Sequence, residues 1–316
     1  MPQENAIVDK LLTDASQAII NENMIATQIL TPAPVMQTTG KIGKLGNGHL
    51  RLLSNIQHSG KGSYPMIETI TRDSDTYDIE MRGLQDKILR QEYRNVEQPF
   101  DVELETALGL FSLLEIAEEK SLSDALGDTS IITQNVTLSG NSQYNNLENA
   151  ASTPLQDSRT AHATIRSKIG RKANIAIMSG NVFDSLLYHN GILDKLGFRS
   201  NRAGSLSKEE LARALDVEEV LVGDGVYNAA KKGQSDDIKS IWANNLIFAH
   251  RAKSKAKYQK TLGYRVTLIG DEKRVVQKWA ENTPRGSVGI SADDSYDNLL
   301  TDVTCAYLIK NAVADL

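Results

Sequence analysis

The chain has 316 residues, of which 40% are hydrophobic and 24% charged, and a net charge of −5. That length allows two compact regions or one large region with insertions, and the composition is globular rather than disordered. The acidic balance argues against a dedicated nucleic-acid binder, the single Cys305 excludes an intramolecular disulfide, and no apolar run approaches the roughly 20 residues that cross a bilayer.

The opening Met1-Pro2-Gln3-Glu4-Asn5 lacks the basic-then-apolar layout of a signal peptide, so folding in a reducing cytoplasm is expected. Residues 5–21 set Val8, Leu11, Leu12, Ala15, Ala18 and Ile19 at helical spacing, which predicts a short amphipathic helix. Thr31-Pro32-Ala33-Pro34 then forces an extended path, because proline fixes φ and restricts the residue before it. A helix on such a tether reads as an arm that docks on its own body or on a neighbour. Residues 40–62 carry six glycines, with Lys41, Lys44, Arg51 and Lys61 and no acid, whereas residues 68–80 hold five acids against Arg72. This pairing predicts a hairpin-like excursion, too long to be an ordinary connection.

Pro99-Phe100-Asp101 opens a long helix, with Asp101 as the expected N-cap and Gly127 as the expected stop. Its apolar stripe runs through Leu104, Leu108, Phe111, Leu114, Leu122 and Ala125, which makes it a spine for the fold. Beyond it, strands are predicted at 131–138, 174–178, 217–222, 245–249, 264–269, 274–281, 287–291 and 303–309. Helices are predicted at 160–169, 182–196 and 206–215. The last of these has Ser207 and Glu210 in capping-box register. The first half therefore reads as arm, loop and spine, and the second as mixed α/β.

No constellation for catalysis emerges. Gly43-Lys44 is followed by Leu45 and Gly60-Lys61 by Gly62, so neither supplies the hydroxyl residue that a P-loop needs. Arg51 stands where a dinucleotide-binding glycine would follow Gly46-Asn47-Gly48. His49, His58, His162, His189 and His250 lie at no metal-ligand spacing, and His189 falls near a predicted helix end, where a positive charge suits the dipole. No Gly-x-Ser-x-Gly elbow occurs, and Cys305 sits in an apolar alternating run as a packing residue. The expectation is no catalytic residue, no metal and no cofactor. Glu115, Glu118 and Glu119 are expected on the polar, solvated or intersubunit face of the spine helix. Arg251, Lys253, Lys255, Lys257, Lys260 and Arg265 form an acid-free basic run, equally consistent with a solvated loop or with contact to an acidic neighbour or nucleic acid.

Several stretches together resemble the major capsid proteins of tailed bacteriophages, which share the Hong Kong 97-like fold. They are residues 211–223, running on through Val226-Tyr227-Asn228-Ala229-Ala230, then residues 241–247, Leu262-Gly263-Tyr264-Arg265 and Tyr307-Leu308-Ile309-Lys310-Asn311. Asn174-Ile175-Ala176-Ile177-Met178-Ser179 before a helix also fits, and the similarity spans roughly residues 30–316.

The resemblance implies an α+β chain divided into an N-terminal helix and extended arm (1–37), an extended loop (38–75) and a peripheral domain with the spine helix (76–149). An axial domain (150–257), a peripheral return (258–296) and an axial C-terminal strand (297–316) complete it. It implies a shell subunit that assembles with itself as hexamers and pentamers around packaged DNA, without sequence specificity and without a membrane. The product would be a virion capsid made in the host cytoplasm. Only about thirty residues precede the loop, so a separate scaffolding protein is expected, with a portal and a decoration protein as further partners. Lys41, Lys44, Arg51 and Lys61 become candidate intersubunit contacts, with Glu115, Glu118 and Glu119 as their candidate acidic partners. No cross-linking lysine–asparagine pair is identifiable. An encapsulin-like compartment shell is the alternative within the same fold, and a soluble α/β enzyme the alternative outside it.

Overall fold

The computed structural model describes residues 7–18, 23–46, 52, 72–89, 99–197, 206–255, 259–270, 275–280 and 287–314. In chain order its elements begin with β1 (Ile7–Val8), α1 (Lys10–Ala18), α2 (Ala26–Ile29), β2 (Thr31–Val35) and β3 (Thr39–Leu45). Next come β4 (Arg72–Asp78), β5 (Glu80–Leu89), α3 (Pro99–Gly127), β6 (Asn135–Thr137), α4 (Pro154–Ile169) and β7 (Ile175–Ser179). Then follow α5 (Gly180–Leu187), α6 (Asn190–Leu196), α7 (Lys208–Leu215), β8 (Glu219–Gly223), β9 (Val226–Asn228) and β10 (Ile238–Ser240). The chain closes with β11 (Leu246–Ala249), β12 (Gly263–Leu268), β13 (Val275–Ala280), β14 (Ser287–Leu300) and β15 (Ala306–Lys310).

Two sheets organise the molecule. The first runs β1-β13-β14-β12-β2, with β5 also paired to β14. Strand β14 holds this sheet together: its first half lies between β13 and β5, and residues 297–300 pair with β12. The second sheet runs β6-β15-β11-β7-β8. Strands β7 and β11 are buried at every position, as expected of a sheet covered on both faces, and their near-continuous apolar sequences IAIMS and LIFA reflect that.

Helix α3 joins the two bodies. Its 29 residues span roughly 43 Å at 1.5 Å per residue. Ala107, Leu110 and Phe111 in its first half pack with Leu12 of α1 and with Ile88, Val276, Ile290 and Ala292 on the first sheet. Leu122 and Leu126, near its end, belong instead to the large core around the second sheet. The helix starts at Pro99, two residues before the expected cap at Asp101, since proline's fixed φ suits a first turn.

The arm docks on its own body. Strand β2 runs parallel to β12 with Thr31 opposite Tyr264 and Val35 opposite Leu268. Thr31 Oγ1 donates to the Ala252 carbonyl at 2.9 Å. A third cluster, Ala33, Val35, Ile42, Tyr77, Ile79, Tyr264 and Val266, ties this strand to the base of the β3–β4 hairpin.

Two expectations need correction. The predicted helix 182–196 is two helices broken at Tyr188-His189, and His189 caps the second, its Nδ1 accepting from Gly191 N at 3.1 Å. His189 thus lies directly after the end of the first helix and at the start of the second, and burial lowers its pKa, which favours the neutral ring. The strand expected over 131–138 shrinks to β6, because residues 128–132 close a turn on Asp128. Strand β6 already belongs to the second sheet, and β14 carries the first as far as Leu300.

Candidate functional site

Two of the three acids expected on an exposed face of the spine helix, Glu118 and Glu119, sit inside the subunit. Glu119 is fully buried. Its carboxylate accepts from Ile25 N at 3.0 and 3.1 Å, from Ala26 N at 2.6 Å and from Trp242 Nε1 at 2.5 Å. One side chain thus fastens the start of α2, the middle of α3 and the loop before β11. Burial raises its pKa above the ordinary carboxylate value, and the three donors pull against that rise.

Glu118 is buried beside it and binds Arg265, with Nε at 2.8 Å and Nη2 at 3.2 Å. Asn298 Nδ2 donates to the same carboxylate at 3.1 Å, and Asp294 stands 3.4 Å from Arg265 Nη2. The Tyr296 ring faces both Arg82 and Arg265, whose guanidinium carbons lie 4.4 and 4.7 Å from its centroid. Sequence periodicity placed these acids on a polar face because α3 itself is polar there. The fold covers that face with the arm, the β12–β14 ladder and the Trp242 loop. Glu118 and Glu119 are therefore withdrawn as partners for a neighbour's loop, while Glu115 is only half-buried.

Four cations of the basic run are paired within the fold, and Lys257 lies outside the described residues. Arg251 pairs with Glu219 at 2.8 Å, Lys253 with Glu218 at 3.2 Å and the buried Lys260 with Asp302 at 3.0 Å. Arg265 completes the series through Glu118. These acids come from distant parts of the chain, so the four cations looked uncompensated only in one dimension.

The loop cations divide. In the β3–β4 register Lys41 lies opposite Thr76 and is exposed, whereas Lys44 pairs with Asp75 at 2.9 Å within its own hairpin. Gly40 lies across from Tyr77, and a Cβ on it would stand 2.6 Å from the Tyr77 hydroxyl, so glycine lets the ring lie over the strand. Arg51, Lys61, His49 and His58 lie outside the described residues.

The remaining histidines serve the framework separately. His162 reaches the Leu215 carbonyl at 2.8 Å and His250 the Lys172 carbonyl at 2.9 Å. Among the described residues no group of three or more His, Cys, Asp or Glu is placed to hold a metal, and no helix is long and apolar enough to cross a membrane. Cys305 is buried, which pushes its thiol pKa up and disfavours the reactive thiolate.

No family model matches the sequence. The chain is 22% identical over 279 residues to the major capsid protein of Burkholderia phage BcepMu, covering 84% of this chain and 85% of that one. Among solved structures it resembles a phage-related protein from Bordetella bronchiseptica, with a TM-score of 0.73 and 20% identity over 98% of both chains. It also resembles the putative capsid protein of an Escherichia coli CFT073 prophage, with a TM-score of 0.55 and 13% identity over 97% of this chain and 99% of that one. The mature capsid of bacteriophage PhiM1 gives a TM-score of 0.55 and 12% identity, over 92% and 87%. The chain has the Hong Kong 97-like capsid fold.

Proposed function

We propose that this chain is the major capsid protein of a tailed double-stranded DNA bacteriophage, self-assembling into an icosahedral shell of hexamers and pentamers around the genome. The observation that carries this reading is the end-to-end correspondence with capsid subunits, in sequence to a curated major capsid protein and in fold to phage capsid chains. On this reading the work is structural and the location is the virion capsid.

The body around the first sheet serves as the peripheral domain and the body around the second as the axial domain, with α3 as the rigid beam between them. A closed shell places one sequence in several slightly different environments. Two packed bodies supply fixed shape, while the hairpin that carries Lys41 offers an adjustable contact. A scaffolding protein, a portal and a decoration protein are the further partners that such a shell takes.

The test is sedimentation and electron microscopy of the purified chain, alone and with a scaffolding protein. Hollow shells in either condition support the reading. A persistent monomer or small oligomer in both defeats it, and cargo enzyme in place of DNA inside native particles would reassign the shell to a bacterial compartment.

A further inference from the structure

Four cations of the expected basic run are paired within the fold, and a separate group of cations stands on α4 and α7. Helix α4 exposes Arg159, Ala163 and Arg166 along one face, at steps of four and three residues. Across a cleft of about 350 Å³ stands Arg213 of α7. The small Ala163 keeps the space between the arginines open.

The floor of the cleft is already satisfied. Ser158 Oγ donates to the Leu215 carbonyl at 2.8 Å and His162 Nε2 reaches it at 2.8 Å, while Lys195 Nζ donates to the Ala214 carbonyl at 2.6 Å. These donors offset the negative end of α7. The cleft's one carboxylate, Asp216, is bound by Lys172, which lowers its pKa and cancels its charge locally. Glu209, one turn before Arg213 on α7, feels the charge of Arg213 but makes no ion pair with it among the described residues. Arg159, Arg166 and Arg213 are likewise free of ion pairs there. Arg171 extends the positive surface into a neighbouring cleft that shares Arg213 and Asp216.

Two features distinguish the occupant. A guanidinium fork matches phosphate in two-point contact, and the three central cations are all arginine. In addition, no large apolar side chain is exposed anywhere on residues 154–174 or 207–219. Protein–protein contacts centre on apolar and aromatic side chains, whereas nucleic-acid contacts are polar and strongly positive. Arg159 and Arg166 are about 10.5 Å apart along the helix axis, roughly three nucleotides of one strand at about 3.4 Å each.

We propose that the cleft between α4 and α7, through Arg159, Arg166 and Arg213, binds the phosphate backbone of nucleic acid and is where the subunit holds packaged DNA without reading its sequence. This rests on the reading of the chain as a shell subunit. In a chain of net charge −5, a local cluster is needed to offset general repulsion of DNA.

The experiment compares full-length protein, as subunits and as assembled particles, with Arg159→Ala/Arg166→Ala/Arg213→Ala. The probes are labelled 20-base-pair duplexes of two unrelated sequences, titrated across salt. Wild type should bind both duplexes equally. The triple variant should bind at least about tenfold more weakly at 0.1 M salt, with a log–log salt slope shallower by about 2.7, or about 0.9 per lost phosphate contact. The Arg→Lys triple variant should restore most of that slope, and Arg251→Ala/Lys253→Ala, which removes cations already paired, should leave it unchanged. Circular dichroism confirms that each variant is folded, and sedimentation scores particle formation separately. Failure of the wild type to form particles therefore counts against the capsid reading and not against the cleft. Absence of duplex binding by wild type, or equal binding by the alanine variant, overturns the proposal. So does an alanine variant that binds duplex normally but fails to assemble, which would make the surface a subunit contact.

Discussion

Glu119 keeps a carboxylate in a fully buried position with no cation among its hydrogen-bond partners, held by two backbone N–H groups and one indole N–H. Removing it by Glu119→Ala orphans three donors, each costing about 1–3 kcal/mol when buried and unsatisfied. Glu119→Gln preserves shape but turns an amide donor towards one of those N–H groups, so a loss of about 1–3 kcal/mol is expected there as well. The pH dependence has a definite sign. Because the folded pKa lies above the ordinary 4.5, the folded state holds this proton more tightly, and the group's contribution to stability falls as pH rises from 4.5 towards the folded value. Urea unfolding of unassembled subunits should therefore show the stability gap between wild type and Glu119→Gln widest in acid and narrowing towards neutrality. Parallel curves across that range would contradict the assignment. Breaking the adjacent pair by Arg265→Met should cost about 3–5 kcal/mol, because Glu118 would be left charged and buried.

At the scale of elements, two glycines make opposite predictions. Gly109 lies exposed in α3, and a Cβ there would meet nothing within 4 Å, so Gly109→Ala should stabilise the subunit by about 0.8–1 kcal/mol through helix propensity. Gly263 opens β12 against β14, and a Cβ there would stand 2.4 Å from the Leu299 carbonyl oxygen. Gly263→Ala must push that ladder apart and should lower the melting temperature clearly, where Gly109→Ala raises it. The same elements show what the sequence could reveal. Helix α3 and the Ser207–Glu210 capping box were legible because apolar spacing and capping chemistry are local. Strand β14 was recognised only to Ser291, since Asp293, Asp294, Asp297 and Asn298 have poor strand propensity. Their surroundings rescue them: Arg265 answers Asp294, and Asp297 accepts from Asp78 N at 3.0 Å. Strand β5 was missed for a related reason, its charged sequence alternating poorly while β14 supplies ten residues of register. The expected site fared unevenly because partner acids and cations meet across 30 to 150 residues, a relation no local window contains.

For the molecule as a whole, the open question is how bodies with satisfied interiors adhere to one another. Burial of Glu118 and Glu119 removes them from any intersubunit contact, and Lys44 is tied to Asp75, so the loop's candidate contacts reduce to Lys41, Arg51 and Lys61. We propose that these three meet exposed acids of a neighbouring subunit. Lys41 is exposed on a hairpin whose base is anchored by Ile42 and Tyr77, so the strand can present its charge without contributing to the core. A single exposed pair contributes only about 0.2–1 kcal/mol, yet a closed shell repeats each pair in every subunit. Reversing all three to glutamate should therefore suppress particle formation in sedimentation, while leaving the circular dichroism and melting temperature of the unassembled subunit nearly unchanged. Raising salt should act on wild type in the same direction, because screening shortens from about 10 Å at 0.1 M to about 3 Å at 1 M. Lys44→Glu alone should behave differently, disturbing the hairpin's own pair with Asp75 and so acting on subunit stability before assembly. Normal assembly by the triple variant would show that the loop's charge does not join subunits, and unfolding of that variant would return these cations to the subunit's own framework.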